Sequence, residues 1–144
     1  MSITQLSVFL ENKLGRLAEI TTILGKNQIN VMAMSIADTT DFGILRLIVT
    51  EPRKALEVLR NSGFTVKETE VVAVSLDHSP GGLANILNTL EKNHISIEYI
   101  YDFRKAIDDN HATVILRLTN QAEAIQLMKK AGMTILDDTF VQNI

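Results

Sequence analysis

The sequence contains no cysteine among its 144 residues. This absence excludes disulfide bonds, thiolate metal sites and catalysis by a thiol, and it is compatible with a reducing compartment. Aromatic residues make up only 5% of the chain and the net charge is -3, so the sequence has neither many stacking side chains nor a basic surface for phosphates. We therefore expect no nucleic-acid partner.

The chain also lacks an apolar run long enough to span a membrane. Its start, MSITQLSVFLENK, alternates like a strand and has neither the basic segment nor the long apolar segment of a signal peptide. We therefore expect a cytoplasmic protein without a membrane partner. The content of 46% hydrophobic and 22% charged residues is typical of a globular chain with room for two small cores.

The second half of the chain repeats the first half. Residues 6–31 align without a gap with residues 72–97, at an offset of 66 residues (72 minus 6). Later the offset is 69 residues (124 minus 55), because Ala55 aligns with Ala124, so the second copy has three extra residues between its middle strands. A repeat of this length predicts two domains of one kind.

Periodicity predicts the same six elements in each copy. Polar and apolar residues alternate in the strands, whereas apolar residues recur at helical spacing in the helices. The predicted strands span residues 3–10, 29–37, 43–50 and 64–68 in the first copy and 71–76, 95–102, 111–119 and 133–136 in the second, and the predicted helices begin near residues 17, 52, 83 and 121. A tight hairpin is expected at residues 38–41.

This order predicts an α+β fold of two ferredoxin-like βαββαβ domains, residues 1–69 and 70–144, with antiparallel sheets and helices on one face. Residues 29–37 are apolar at nearly every position, which favours a strand that is covered on both faces. Because the helices cover one face only, the other face needs a cover from within the chain or from a second chain. This requirement predicts a homodimer.

The sequence offers no constellation for catalysis. The three histidines, His78, His94 and His111, show no triad, metalloprotease or nucleotide-binding pattern. The carboxylate pairs at residues 108–109 and 137–138 lie in polar stretches, where their pKa values need not be tuned for acid–base work. We predict no catalytic residue, no metal site and no cofactor, so the chain is not expected to be an enzyme.

Two strand-to-helix turns are the strongest candidates for binding. Residues 11–17 (ENKLGRL) and 77–83 (DHSPGGL) each precede a helix, whose free amides and dipole can bind a carboxylate, and glycine lets an anion come close. The alternative is that the turns only cap the helices, with Asn12 and Asp77 accepting hydrogen bonds from the first helical turn. His78 is then either a ligand contact or a solvated loop residue.

The motifs at these turns resemble those of the ACT domain, a ligand-binding regulatory module. DHSPGGLANIL followed by NHISIEYI is similar to the module's polar residue, Pro-Gly turn, apolar helix and N-I-x-I strand entry. ENKLGRLAEITTIL followed by NQINVMAM is similar but has Leu14 where the usual proline stands. The resemblance covers nearly the whole chain as two copies. The run SIADTTDFGILRLIV and the tandem layout resemble stand-alone tandem ACT proteins and, more distantly, the regulatory subunit of acetohydroxyacid synthase.

The resemblance implies that a small regulatory ligand, usually a free amino acid, binds between two ACT units. Members of the family often pair through their second strands, which would join residues 29–37 with residues 95–102 in a continuous sheet and form two related pockets. The implied ligand-binding residues are Asn12, Leu14, Gly15, Arg16, Ser96, Ile97 and Glu98 for one pocket, and His78, Ser79, Pro80, Gly81, Gly82, Asn30, Val31 and Met32 for the other.

The leading hypothesis is a non-catalytic regulatory protein that binds a free amino acid and acts by population shift. One alternative is a regulatory subunit that confers feedback inhibition on a separate amino-acid biosynthetic enzyme such as acetohydroxyacid synthase. A small enzyme is the other alternative, although no acid, base or nucleophile supports it. Since residues 13–16 (KLGR) align with residues 79–82 (SPGG), we expect two unequal pockets, one of which binds ligand better.

Overall fold

The computed structural model describes residues 2–38 and 41–142. Its strands are β1 (Ile3–Glu11), β2 (Val31–Asp38), β3 (Phe42–Val49), β4 (Thr65–Asp77), β5 (Ile97–Phe103), β6 (His111–Leu118) and β7 (Thr134–Leu136), and its helices are α1 (Arg16–Lys26), α2 (Pro52–Asn61), α3 (Gly82–Lys92), α4 (Gln121–Lys130) and α5 (Asp138–Gln142). The predicted fold class is confirmed. The predicted hairpin at residues 38–41 lies partly outside the described residues.

The chain divides into two compact units. The first unit is Thr4–Thr69, and the second unit comprises the chain from Glu70 onward together with Ile3. In the first unit the strand order is β2-β3-β1-β4, with β3 antiparallel to both β1 and β2. In the second unit β4 pairs antiparallel with β6 and with β7, and β6 pairs antiparallel with β5.

Strand β4 differs from the prediction of two separate strands at residues 64–68 and 71–76. It runs without interruption through 13 residues, from Thr65 to Asp77, and so supplies the last strand of one repeat and the first strand of the next. The sequence between the predicted strands contains neither glycine nor proline, so nothing there favours a turn. Helix α5 is a further element that the periodicity did not indicate.

Each unit has its own core, on the face that its two helices cover. The core of the first unit joins β1, β3, α1 and α2, and its buried residues are Leu6, Val8, Leu10, Ile20, Leu24, Ile29, Leu45, Leu47, Val49, Ala55, Leu59 and Val66. The core of the second unit joins β4, β6, α3 and α4, and its buried residues are Val72, Val74, Ile86, Leu90, Ile95, Val114, Leu116, Leu118, Ala124, Met128 and Ile135. This burial confirms the predicted helices on one face.

The other, helix-free face of each sheet carries some buried apolar side chains, although Phe9 on this face of the first sheet is 56% exposed. Ala33 and Ile48 in the first unit are 2% and 1% exposed, and Ile115 in the second unit is 0% exposed. The predicted homodimer was argued from an uncovered apolar face. The structure describes a single chain, so the homodimer stays a prediction.

Strands β2 and β5 lie at the edges of their sheets. Among the described residues β2 is hydrogen-bonded to β3 and β5 to β6, each on one side only. The expected pairing of residues 29–37 with residues 95–102 is therefore wrong for the single chain.

The second unit carries the aromatic contacts that surround β5. The rings of Tyr99 and Tyr101 stack with their centroids 6.3 Å apart. Phe103 packs against Phe140 of α5 with ring centroids 5.9 Å apart, and the Lys105 ammonium lies 4.7 Å from the centre of the Phe140 ring.

In the part of the chain that the structure describes, no helix is long and apolar enough to cross a membrane.

Candidate functional site

The two strand-to-helix turns have the same backbone. The turn of the first unit joins β1 to α1, and the turn of the second unit joins β4 to α3. Gly15 and Gly81 each precede a helix with φ of 89°, a left-handed conformation that favours glycine. The equivalence of the two turns in the sequence therefore extends to their dihedral angles.

Equivalent hydrogen bonds fix the two turns. The N–H of Asn12 donates to the carbonyl of Asp41, and the N–H of His78 donates to the carbonyl of Asn110, at 2.9 Å in both cases. The N–H groups of Lys13 and Ser79 then donate to the carbonyls two residues before them, at 2.8 and 2.9 Å. These amides of the turns are thus bonded within the protein.

The residues at the N-cap positions of α1 and α3 are Gly15 and Gly81, not Asn12 and Asp77. The helices begin at Arg16 and Gly82, several residues after the two polar side chains, and the capping positions are glycines without a side-chain hydrogen bond. The physical reason is that each turn needs its own residues to reverse the chain before helical dihedrals can start. The N-cap residue of each helix therefore supplies no side-chain hydrogen bond to the first helical amides.

Opposite charges surround the turn of the first unit. The Lys13 ammonium lies 2.8 Å from the Glu11 carboxylate, and one guanidinium nitrogen of Arg16 lies 3.9 Å from the same carboxylate. A second Arg16 nitrogen donates to Glu19 at 3.0 Å. The hydrogen bond and the attraction of Lys13, assisted by Arg16, hold the pKa of Glu11 below its usual range, so this carboxylate is ionised at neutral pH.

A histidine lies between two carboxylates beside the turn of the second unit. One ring nitrogen of His111 lies 2.6 Å from Asp108, and the other lies 3.6 Å from Asp77. The hydrogen bond with His111 and a further bond from the Asn110 N–H lower the pKa of Asp108. The predicted ligand contact His78 is exposed. The described residues contain no group of three or more side chains that could hold a metal ion.

A groove lies beside each turn. The first groove has a volume of about 470 Å³ and is lined by Phe9, Leu10, Glu11, Arg16, Phe42, Ser62, Gly63, Phe64 and Thr65. The second groove, of about 410 Å³, is lined by the repeat counterparts of all these residues, Ser75, Leu76, Asp77, Gly82, His111, Ala131, Gly132, Met133 and Thr134, together with Asn85, Ile86 and Thr89. The duplication has therefore produced one cavity twice.

The two grooves differ in the side chains that line them. Phe9, Phe42 and Phe64 of the first groove correspond to a serine, a histidine and a methionine in the second. Arg16 corresponds to Gly82, so the second groove has no guanidinium at this position. The first groove combines three aromatic side chains with an ion pair, whereas two of the three matching positions in the second groove, Ser75 and His111, are polar.

The other predicted site residues lie at the opposite ends of the strands. Asn30 directly precedes β2 and Val31 and Met32 are its first residues, and the N–H of Asn30 donates to the hydroxyl of Thr50. Val31 packs against the core of the first unit, and Met32 is 4% exposed. Val31 is paired with Val49 at the end of β3, whereas Glu11 is paired with Phe42 at its start. Residues 30–32 and the turn at residues 12–16 of the same unit therefore lie at opposite ends of β3.

The corresponding residues of the second unit are engaged in the same way. The N–H of Ser96 donates to the hydroxyl of Thr119 at 3.0 Å, and Ile97 packs against the core. Arg117 donates to the Glu98 carboxylate at 3.2 Å. Of the predicted residues, Gly82 at the second turn and Arg16 at the first therefore line the grooves, whereas residues 30–32 and 96–98 do not.

Comparisons with known proteins agree with this architecture. The crystal structure of a protein from Bacteroides thetaiotaomicron matches with a TM-score of 0.92 at 40% sequence identity, over 100% of this chain and 98% of that chain. The ligand-free regulatory subunit of aspartate kinase from Thermus thermophilus matches with a TM-score of 0.65 at 17% identity, over 89% of this chain and 91% of that chain. At that identity the likeness concerns the fold alone.

The regulatory subunit of aspartate kinase from Thermus flavus matches similarly, with a TM-score of 0.61 at 14% identity over 89% of this chain and 91% of that chain. No curated protein matches the sequence. The family model of the ACT domain pair matches residues 1–143. With two βαββαβ units, two glycine turns and this match over nearly its whole length, the chain belongs to the ACT domain pair family.

Proposed function

We propose that this protein is a non-catalytic regulatory protein that binds a free amino acid beside its strand-to-helix turns. The observation that carries the proposal is the duplicated glycine turn, which in each unit places a helix start with glycine at its N-cap position next to a groove. Such a helix start favours a carboxylate, and the ACT family consists of regulatory, amino-acid-binding modules.

Binding would act through a shift in populations. A ligand changes a conformational equilibrium only by the difference between its affinities for the two states, and a partner that recognises one of the states then responds. ACT-domain regulatory proteins are typically non-catalytic. His111, which lines the second groove, lies 2.6 Å from the carboxylate of Asp108 and 3.6 Å from that of Asp77, and both side chains are exposed.

A thermal-shift screen against the free amino acids tests the proposal. A ligand at about one hundred times its dissociation constant should stabilise the protein by roughly 2.7 kcal/mol, because it binds the folded state only. The expected result is a raised unfolding midpoint for one amino acid or one chemical class, with no shift for the matching methyl esters that lack the carboxylate. A screen in which no amino acid raises the midpoint would remove the main support for this function.

We also propose that two copies of the chain pair through the exposed edge of β2. Its sequence, VMAMSIAD, has no proline and no charge before Asp38, and an edge of this kind invites pairing. The edge of β5 is different because it carries Glu98 and Asp102. The expected species in sedimentation at micromolar concentration is a dimer. Ile36→Lys should produce monomers, whereas the matched change Ile100→Lys on β5 should not.

A monomeric unaltered chain would contradict this pairing. The regulated enzyme, the identity of the amino acid, the location of the ligand between two units and the cytoplasmic location stay predictions of the sequence. Copurification with a large catalytic protein would favour the role of a regulatory subunit over that of a stand-alone binding protein.

A further inference from the structure

The first groove gathers three of the five phenylalanines of the chain. Phe9 and Phe42 are 56% and 53% exposed although their rings are apolar. They belong to neighbouring strands, since Phe9 opposes Ile44 and Glu11 opposes Phe42 across the β1–β3 pair. Adjacent exposed aromatic side chains on a small domain indicate a contact surface, because burial on ligand binding would remove their apolar area from water.

A pair of opposite charges borders these rings. Glu11 and Arg16 both line the groove, and their charged groups lie 3.9 Å apart with the side chains 49% and 37% exposed. One Arg16 nitrogen is bonded to Glu19, and the planar guanidinium has five N–H donors, so donors for a second carboxylate remain. The ionised Glu11 already accepts from the Lys13 ammonium at 2.8 Å, and a carboxylate has about four lone-pair sites, so it can also accept from the ammonium group of a ligand.

The size of the groove limits the ligand. A volume of about 470 Å³ falls in the range of small-molecule sites, which are roughly 300–1,000 Å³. A carboxylate, an ammonium group and an apolar side chain on one carbon atom complement the cation, the anion and the aromatic rings that line this one groove. A polar side chain would instead lose water against the rings without gaining a hydrogen bond there.

The second groove provides a contrast with the same backbone. It has Ser75, His111 and Met133 in place of the three phenylalanines. Its counterpart of Arg16 is Gly82, where a Cβ atom would lie only 2.0 Å from the carbonyl oxygen of Asp77. The second turn therefore cannot carry an arginine at this position. The backbone of the second turn thus excludes the guanidinium that the first groove contains.

We propose that the first groove binds a free amino acid with a large apolar side chain. Arg16 binds the carboxylate, Glu11 binds the ammonium group, and Phe9 and Phe42 contact the side chain. This inference rests on the proposed function and adds to it the class of ligand and the groove that selects it. It also places ligand recognition inside one unit, formed by residues of β1, α1, β3 and the start of β4.

Free L-tryptophan is a suitable probe, because the chain contains no tryptophan and the emission of the indole is therefore that of the ligand alone. Titration of the full chain should give saturable binding of L-tryptophan. Competition should follow the order of apolar side chains, with phenylalanine and leucine displacing the probe at lower concentration than serine, glutamate or lysine. Tryptamine, which lacks the carboxylate, and indolepropionate, which lacks the ammonium group, should each bind at least about tenfold more weakly.

Variants assign the contacts. Arg16→Gln should weaken L-tryptophan about tenfold or more and leave the affinity for tryptamine unchanged, because only the carboxylate contact is lost. Phe42→Ala should weaken both ligands. Arg53→Gln, the same charge change at an exposed position of α2 outside the groove, and Ile107→Ala, the loss of an exposed apolar side chain, are the controls and should bind as the unaltered chain does.

The outcomes separate this inference from the proposed function. If an amino acid binds but prefers a polar side chain, or if Arg16→Gln and Phe42→Ala bind it as tightly as the unaltered chain, the first groove is not the site and the inference is overturned while the proposed function stands. If no amino acid binds, both are overturned. Circular dichroism of each variant confirms that lost affinity does not reflect a lost fold.

Discussion

Alanine in place of Gly82 is expected to destabilise the second unit by about 3 kcal/mol or more. The added Cβ would lie 2.0 Å from the carbonyl oxygen of Asp77, 3.1 Å from its carbonyl carbon and 3.4 Å from a methyl group of Leu76. Two of these three atoms are backbone, so no side-chain rotation relieves the clash. The turn itself has to shift away from the start of α3.

The equivalent position of the first turn accommodates Arg16 because that turn is less tight than the second. The N–H of Gly82 lies 3.0 Å from the carbonyl of Ser79, whereas the N–H of Arg16 lies 3.4 Å from the carbonyl of Lys13. The start of α3 is thus drawn closer to its turn than the start of α1. Only a residue without a side chain fits in the closer arrangement.

Urea unfolding followed by circular dichroism measures this effect. Gly25→Ala is a matched control, because Gly25 lies inside α1 with open space around its Cβ position and should become more stable by about 0.5–1 kcal/mol. If Gly82→Ala keeps the midpoint of the unaltered chain, the close approach to Asp77 is not a constraint on the native turn.

Removal of one core leucine from either unit should cost about 2–5 kcal/mol. Leu24 of α1 and Leu90 of α3 are repeat counterparts, 0% and 1% exposed, and each belongs to the core of its own unit. Alanine at either position leaves a cavity and loses the same transfer free energy. Leu14→Ala removes a leucine that is 106% exposed and should change stability by less than about 0.5 kcal/mol.

The double variant Leu24→Ala/Leu90→Ala provides a sharper measurement. The two leucines share no core cluster, so their free-energy losses should add to within about 0.5 kcal/mol. Losses that fail to add would mean that the cores are energetically coupled. A Leu24→Ala variant as stable as Leu14→Ala would contradict the described burial.

The sequence predicts an element well where residues that start or stop a helix agree with the periodicity of the apolar residues. Helix α2 spans the predicted residues 52–61, because Pro52 suits the first helical turn and Gly63, with φ of 94°, stops the helix. The repeat predicts two strands where the structure has the single strand β4, because it places a domain boundary between residues 69 and 70. Alternation alone does not reveal that the last strand of one copy and the first strand of the next are collinear.

The candidate site is harder to predict from the sequence than the fold. The glycine turns were found because local motifs and the repeat both indicate them. The grooves were missed, since each collects side chains from four separate segments that only the folded chain brings together. One signal was available, because Phe9 is an aromatic residue at a position of β1 that alternates with the buried Val8 and Leu10.

The stacked pair of Tyr99 and Tyr101 gives the protein an internal spectroscopic marker. These are the two tyrosines of the chain, both lie on β5, and no tryptophan overlaps their emission. Tyrosine fluorescence therefore monitors the second unit, while circular dichroism monitors the whole chain. A loss of ellipticity that precedes the change in tyrosine emission would identify the first unit as the one that opens first.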